Sequence, residues 1–417
     1  MRLLAKEETP LDWTSKKIGS YVLGHKGGAA LRPSDFSDVG FPVIPKKAIQ
    51  PTGELLIESP TYCTNEFASN NKRSIVDNSY TITTLRDLVP TGPTIGTVVN
   101  FTSEEKYILS QGVYGLKLND GLDKKYLSYL SNTSFYRKVM QRIMVGSTQV
   151  HIRTPEYLDL EIQIPPLPEQ QKIAKILSTW DKAISTTERL IDNSTQQKKA
   201  LMQQLLTGKK RLLDDEGKRF EGEWEEVKLG KVADVRDGTH DSPEFIDVGY
   251  PLITSKNLLS SGRLDLSNVK FISEADYLQI NKRSGVNDGD ILFGMIGTIG
   301  NPVKVKSSNY AIKNVALIKE TGGLLNGFLI YYLSSHDIDK QIHRLNAGGT
   351  QKFVALGVLR NLVIRLPTQQ EQQKIATVLT TADKEIELLE QQLADLQQEK
   401  KALMQVLLTG KKRVFIN

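Results

Sequence analysis

Two stretches of this chain share one pattern of apolar and polar positions. From Ile375 onward, Ile375, Leu379, Ala382, Ile386, Leu389, Leu393, Leu396, Leu403 and Leu407 fall at alternating steps of four and three, with Lys400 as the one polar occupant of the stripe. That is a heptad spacing, which predicts a long helix packed along another helix. The earlier stretch keeps the same register more loosely. Ile173, Leu177, Trp180, Ile184, Ile191, Leu201 and Leu205 hold its stripe, while Thr187, Ser194 and Lys198 interrupt it.

The resemblance extends to the residues themselves. "EQQKIAKILSTWDKAI" at Glu169 answers "EQQKIATVLTTADKEI" at Glu371, and "KKALMQQLLTGKKR" at Lys198 answers "KKALMQVLLTGKKR" at Lys400. The offset between the copies is constant from Glu169 to Arg211, and about three positions in five are identical, so the chain carries an internal duplication. Each stretch runs from a glutamine-rich start to a Thr-Gly stop. Gly208 and Gly410 are placed to close the helices in a left-handed conformation, with Lys and Arg beyond them at the negative end of the helix dipole. Helices of about 39 residues, each about 58 Å long, are expected. Two amphipathic helices buried in separate cores would be the alternative; the length and strict register favour an intramolecular coiled coil.

The regions between these helices are more faintly related. Trp13, Ile18 and Gly19 share a spacing with Trp224, Leu229 and Gly230. "FPVIPKKAI" at Phe41 parallels "YPLITSKNL" at Tyr250, and "GSTQ" at Gly146 parallels "GGTQ" at Gly348. Short β-branched runs such as "YPLIT", "GDILFGMIGTIG" and "NVALIK" are separated by turn residues, and a helical patch follows in "FLIYYLSSHDIDKQIHRL". The expected fold is therefore α+β: two mixed α/β domains over residues 1–166 and 213–365, with long helices over 167–212 and 366–413.

Composition narrows the function without naming it. A chain of 417 residues with 39% apolar and 24% charged residues suits a globular protein of two domains. No long uninterrupted apolar run and no leader-like start are present, which predicts a cytoplasmic protein. The single cysteine, Cys63, excludes an internal disulfide framework and reads as a packing residue. The net charge of +6 invites a polyanion, but roughly five of those charges lie between Leu167 and Leu212, so bulk charge alone does not announce nucleic acid.

Catalytic motifs are missing. "TGKK" at Thr207 has Gln203 where a phosphate-binding loop needs its first glycine, and the glycines of "GMIGTIG" have the wrong spacing for a dinucleotide site. His25, His151, His240, His336 and His343 are scattered, so no metal site is expected. Neither an amino-methylating Asn-Pro-Pro nor an Asp-Pro-Pro tetrapeptide occurs. Two recognition-sized modules, a helical divider and no catalytic constellation describe a component whose chemistry belongs to a partner.

Those paired blocks carry a resemblance. A Trp-to-Gly opening, a Gly-x-Thr-Gln close, then "IPPLPEQQKIAKIL" or "IRLPTQQEQQKIATVL", then the Lys-Lys-Ala-Leu-Met block, resemble the specificity subunit of Type I restriction-modification systems over essentially the whole chain. The resemblance implies a non-catalytic subunit that binds double-stranded DNA at a bipartite, asymmetric site, one domain reading each half. It implies two methyltransferase subunits as partners, with restriction and translocase subunits joining in some systems. S-adenosylmethionine, ATP and Mg are then expected on those partners and no cofactor on this chain. The two helices would lie antiparallel and hold the readers at a set separation.

The base-reading candidates are polar loop residues able to reach groove edges. They are Lys46, Lys47, Lys72, Arg73, Thr148 and Gln149 in the first domain, and Thr239, His240, Ser255, Lys256, Asn257, Thr350, Gln351 and Lys352 in the second. Residues common to both domains suit phosphate or loop-shaping roles, because shared residues cannot encode different targets. An adaptor whose coiled coil organises two protein-binding domains is the competing reading.

Overall fold

The computed structural model describes residues 10, 12–307, 309–345 and 353–416. Both long helices form, Leu167–Leu205 and Gln369–Leu407, at 39 residues each. Gly208 and Gly410 take positive φ values of 69° and 75°. There the chain doubles back, and Lys210 and Lys412 donate their backbone N–H to Gln204 and Val406 at 3.1 and 3.0 Å. Helix-end carbonyls that would otherwise lack a donor are satisfied this way in both copies.

Contacts divide the chain into two units, one of residues 1–188 with 392–417 and the other of residues 189–391. Each unit thus takes the first half of one long helix, the last half of the other, and one mixed α/β domain.

In the first unit, Val22–Gly27, Val113–Leu118, Tyr80–Thr84 and Val98–Asn100 form a four-stranded antiparallel sheet. Beside it lies a five-stranded sheet in the order Phe36–Ser37, Thr61–Cys63, Phe41–Ile44, Tyr107–Leu109, Ile75–Val76, with Phe41–Ile44 and Tyr107–Leu109 parallel. Ile44, Ile82, Val99, Leu109 and Val113 bury one core cluster. Cys63 is fully buried, and that burial pushes its thiol pKa up, in keeping with a packing role.

The second unit repeats the plan. Ala233–Asp237, Val315–Glu320, Ile291–Gly294 and Gly300–Lys304 make the four-stranded sheet, and Lys270–Ile272, Tyr250–Ile253 and Ala311–Ile312 make the smaller one. Leu252 and Ala311 again pair in parallel.

A short antiparallel ribbon closes each domain on itself. Thr14–Lys17 pairs with Glu161–Ile164, and Glu225–Lys228 pairs with Val363–Leu366. This explains the shared Trp-to-Gly opening. The strand after the tryptophan meets the last strand before the long helix, so a domain begins and ends at one place, the helix start.

Within each unit the two helix halves run in opposite senses. In the first, Glu169 meets Arg413 and, farther along, Asp181 meets Lys400. In the second, Arg211 meets Glu371 and Lys198 meets Asp383. Ile173 and Leu177 share a core with Leu403 and Leu407, and Leu201 and Leu205 share one with Ile375 and Leu379. Trp180, Ile184, Ile191, Ile386, Leu389, Leu393 and Leu396 are half-buried, while Leu388, off the stripe, is 71% exposed. The heptad reading therefore names the covered face of both helices.

Candidate nucleic-acid interface

The candidate reading loops grow from equivalent strand ends in the two domains. In the second, the loop after Ala233–Asp237 carries Thr239 and His240, the loop after Tyr250–Ile253 carries Ser255, Lys256 and Asn257, and Lys313 and Asn314 lead into Val315–Glu320. Backbone bonds knit these loops together. Thr239 N–H donates to Ile312 O at 3.0 Å, Lys313 N–H to Ile253 O at 2.9 Å, and Asn314 N–H to Thr239 O at 3.2 Å. Their juxtaposition is fixed by sheet register.

Ser255 is 4% exposed and sits at the centre of this cluster. Its hydroxyl donates to Asn314 O at 3.2 Å and accepts from Met295 N–H at 3.3 Å. Asn257, 7% exposed, accepts from Thr254 N–H and donates to Asp265 O. Ser255 and Asn257 hold the loop's shape from inside, and Lys256 between them is exposed.

His240 is the best-placed polar group of that face. Its ring nitrogens lie 2.9 Å from Asn314 Oδ1 and 3.0 Å from Asp237 Oδ2. These two partners raise its pKa, Asn314 first and Asp237 second, against opposing burial and the nearby Arg283 charge. Asn314 holds its position with a positive φ of 55°, a conformation that asparagine tolerates better than most residues. Lys313 reaches the Ser242 hydroxyl. Thr350, Gln351 and Lys352 lie outside the described residues.

The first domain builds the same face with other chemistry. Lys46 stands where Ser255 stands, but it donates to Asp87 Oδ1 at 2.8 Å, in a pair whose side chains are 19% and 4% exposed. Burial pushes the Asp87 pKa up, yet the Lys46 ammonium and the two bonds from Thr94 outweigh it and hold the carboxyl below its usual range. Lys46 is thus an internal strut, while Lys47 is exposed. Thr148 and Gln149 are exposed, and Gln149 accepts from Arg86 Nη2 at 2.9 Å, on the short ribbon that pairs Val150–His151 with Arg86–Asp87. Lys72 and Arg73 are exposed on a turn just before Ile75–Val76.

Arg86, Asp237 and Asn314 were not identifiable from sequence. Arg86 and Asn314 act through partners 63 and 74 residues away, and none of the three sits in a shared motif.

The most closely matched structure between the copies lies where helix meets domain. Glu169 and Glu371, each about 1% exposed or less, accept two bonds apiece from Arg413 and Arg211 at 2.6–2.8 Å. Gln170 Nε2 donates to Pro165 O and Gly121 O while its Oε1 accepts from Asp123 N–H; Gln372 repeats this with Pro367, Gly323 and Leu325. Along the helices, Asp181 takes Lys400 and the Tyr129 hydroxyl, and Asp383 takes Lys198 and the Tyr331 hydroxyl. These charged residues of the helices are therefore joints.

Among the described residues, no group of three or more His, Cys, Asp or Glu is placed to hold a metal ion, and no helix is long and apolar enough to cross a membrane.

Comparison with known proteins agrees with this duplicated architecture. Residues 10–193 and 221–398 each match the family described as the Type I restriction modification DNA specificity domain. The chain is 29% identical over 324 residues to the Type I restriction enzyme MjaVIII specificity subunit of Methanocaldococcus jannaschii, covering 74% of this chain and 75% of that protein. Its fold is similar to the crystal structure of a Type I restriction-modification S subunit from M. genitalium, with a TM-score of 0.59 at 15% identity and full coverage of both chains. It is also similar to the HsdS subunit from Thermoanaerobacter tengcongensis, with a TM-score of 0.51 at 18% identity, covering 98% of this chain and 99% of that one. With both halves matched, and helix, joint and reading loops repeated in each, the chain belongs to the Type I restriction modification DNA specificity domain family.

Proposed function

We propose that this chain is the DNA-specificity subunit of a Type I restriction-modification complex. It binds double-stranded DNA at a bipartite, asymmetric site, each domain reading one half with its loop face. It contributes recognition and leaves catalysis to others: two methyltransferase subunits using S-adenosylmethionine, and in a complete system restriction and translocase subunits using ATP and Mg. The observation that carries this reading is the contrast between near-identical joints and divergent loop faces. Two units share the Glu–Arg and Tyr–Asp–Lys contacts residue for residue, yet Lys46 and Asp87 in one reading face are replaced by Ser255 and its hydrogen bonds in the other. A common scaffold with unlike readers suits a target of two unlike halves.

In this role Lys47, Gln149, Thr148, Lys256, Thr239 and His240 are the exposed or half-exposed candidates for groove contacts, and Lys46, Ser255 and Asn257 support them from below. Methylome sequencing of a host with and without the gene tests the proposal. The expected result is one split motif, methylated only when the gene is present. Unchanged methylation, together with no duplex affinity that strengthens as salt is lowered, would instead favour an adaptor that organises protein-binding domains.

A further inference from the structure

The two domains share one polar motif that lies outside the joints, and its first copy carries the candidates Lys72 and Arg73. Asn71-Lys72-Arg73-Ser74 and Asn281-Lys282-Arg283-Ser284 are the same four residues, each followed after one intervening residue by a valine, Val76 and Val286. Both occur at the end of a helical segment. The first is the turn Lys72–Ser74 that follows the helix Asn65–Asn70, and the second closes the helix Glu274–Ser284. Exposure repeats position by position: the asparagine is half-buried, lysine and arginine are exposed, and serine and valine are buried.

The inward residues of the motif have structural tasks. Asn71 Nδ2 donates to Phe67 O at 2.9 Å and Asn281 Nδ2 to Tyr310 O at 3.3 Å. Ser284 Oγ donates to the carbonyl of Asp237, the last residue before the loop that carries His240. The motif is thereby fastened to the strand end from which a reading loop leaves. In the first domain another bond does the fastening, the Lys26 ammonium of the strand Val22–Gly27 donating to the carbonyl of Ile75, the residue after the motif.

The outward cations have no comparable structural task. Among the described residues Lys72 and Arg73 form no ion pair, and Lys282 touches only the neutral Gln279 amide oxygen, at 3.1 Å. In the first domain Lys72, Lys26 and Lys106 line a cavity of about 530 Å³ together with Asn65, Ser69 and the Phe41 ring. Asp77 is the acid among its lining residues, so positive charge is in excess there. Arg283 differs, because it pairs with Asp237 and so braces the His240 loop.

Identical exposed cations in two readers of unlike sequence cannot supply the difference between two half-sites. They can bind what the half-sites have in common, which is the phosphodiester backbone. We propose that Lys72 and Arg73 in the first domain and Lys282 in the second are backbone-phosphate contacts that position each reading face on the duplex without reading sequence. The inference rests on the DNA-binding reading above and adds a division of labour within it.

Fluorescence anisotropy on the full chain tests this, using K72Q/R73Q and K282Q against a duplex carrying the methylated motif and against a random duplex, between roughly 50 and 200 mM KCl. Each lost phosphate contact lowers the slope of log K against log salt by about 0.9. The double variant should therefore lose up to about 2 in slope and K282Q about 1, weakening both duplexes by the same factor and leaving the methylated motif unchanged. An unchanged slope, or a loss confined to the specific duplex, overturns the proposal. So does a variant whose thermal stability falls while its slope does not, since cations at a helix end would then serve only the helix dipole. Inorganic phosphate at matched ionic strength is the second arm. Competition seen with the native chain and abolished in the variants would mark a site for free phosphate and also overturn it. If the native chain shows no salt-dependent affinity for any duplex, it is the DNA-binding reading itself that fails.

Discussion

Arg413 and Arg211 make the same bidentate contact with a buried glutamate, but their surroundings differ in a way that ranks the two joints. At the second joint Glu371 also accepts from the Trp224 indole N–H at 3.1 Å. At the first, the equivalent Trp13 Nε1 is buried without a partner. Removing the arginine strands a buried carboxylate, which costs about 3–5 kcal/mol when nothing else compensates. R413A is expected near the low end of that range and R211A at least about 1 kcal/mol below it, because the indole still serves Glu371. Urea denaturation of both variants checks the order, and a larger loss in R211A would contradict it. His240 offers a pH prediction. Its folded pKa is raised, so its contribution to loop stability is complete below the ordinary histidine value of about 6.5 and is lost as pH rises through the higher folded value. An NMR titration should place the midpoint above about 6.5, and N314A should bring it down. Sequence reading selected His240 as an exposed loop residue but could not see Asn314 beside it. For the same reason it took Lys46, Ser255 and Asn257 for surface groups: their partners Asp87, Asn314 and Asp265 lie 8 to 59 residues away.

The long helices were legible because heptad periodicity is a local signal, and all sixteen apolar residues assigned to the seam are buried or half-buried. Their interruptions were less legible. Thr187 is 4% exposed and donates its hydroxyl to Ala183 O; Ser194 donates to Glu385. Lys198 and Lys400 lie over the rings of Tyr331 and Tyr129 and pair with Asp383 and Asp181. The stripe therefore carries a charge mark on each helix that matches an aspartate on the other, and a slipped register would separate them. With side chains 24% and 42% exposed, each pair should contribute modestly. A double-mutant cycle of K198M with D383N is expected to give a coupling of about 1 kcal/mol, and additivity would deny the pair a role in register. Deleting four residues within Leu389–Leu393 moves the stretch that carries Lys400 by about 6 Å along its own axis and turns it out of phase with the seam. If the helices set the length of unread DNA between half-sites, methylome sequencing of that variant should show a changed or lost spacer. An unchanged motif would remove the helices from that role.

At the scale of the whole molecule the duplication is nearly exact in contacts but not in connectivity. Arg211 follows its own helix directly into the second domain, and its partner Glu371 lies 160 residues ahead, so that joint is closed by residues well inside the chain. Arg413 reaches back 244 residues to Glu169, and 401 to Asp12. Val414 packs against the same core as Ile173 and Leu177. The paired "TGKKR" blocks reveal that both stretches matter, but not that the arginine of each meets a glutamate at the start of the other helix. Ending the chain at Gly410 should therefore act on one unit alone. It removes Arg413 and Val414, leaves Glu169 buried and unpaired, and weakens the place where Thr14–Lys17 and Glu161–Ile164 meet the first helix. Hydrogen exchange is the suitable measurement, because it reports local opening segment by segment. Protection should fall across residues 12–17, 161–173 and 403–407 while residues 225–228, 363–375 and 201–205 keep theirs, since Arg211 still holds Glu371. Equal loss in both groups would mean that the two units open together through their shared helices, and no loss would mean that the Arg413 network contributes nothing to the first unit's cohesion.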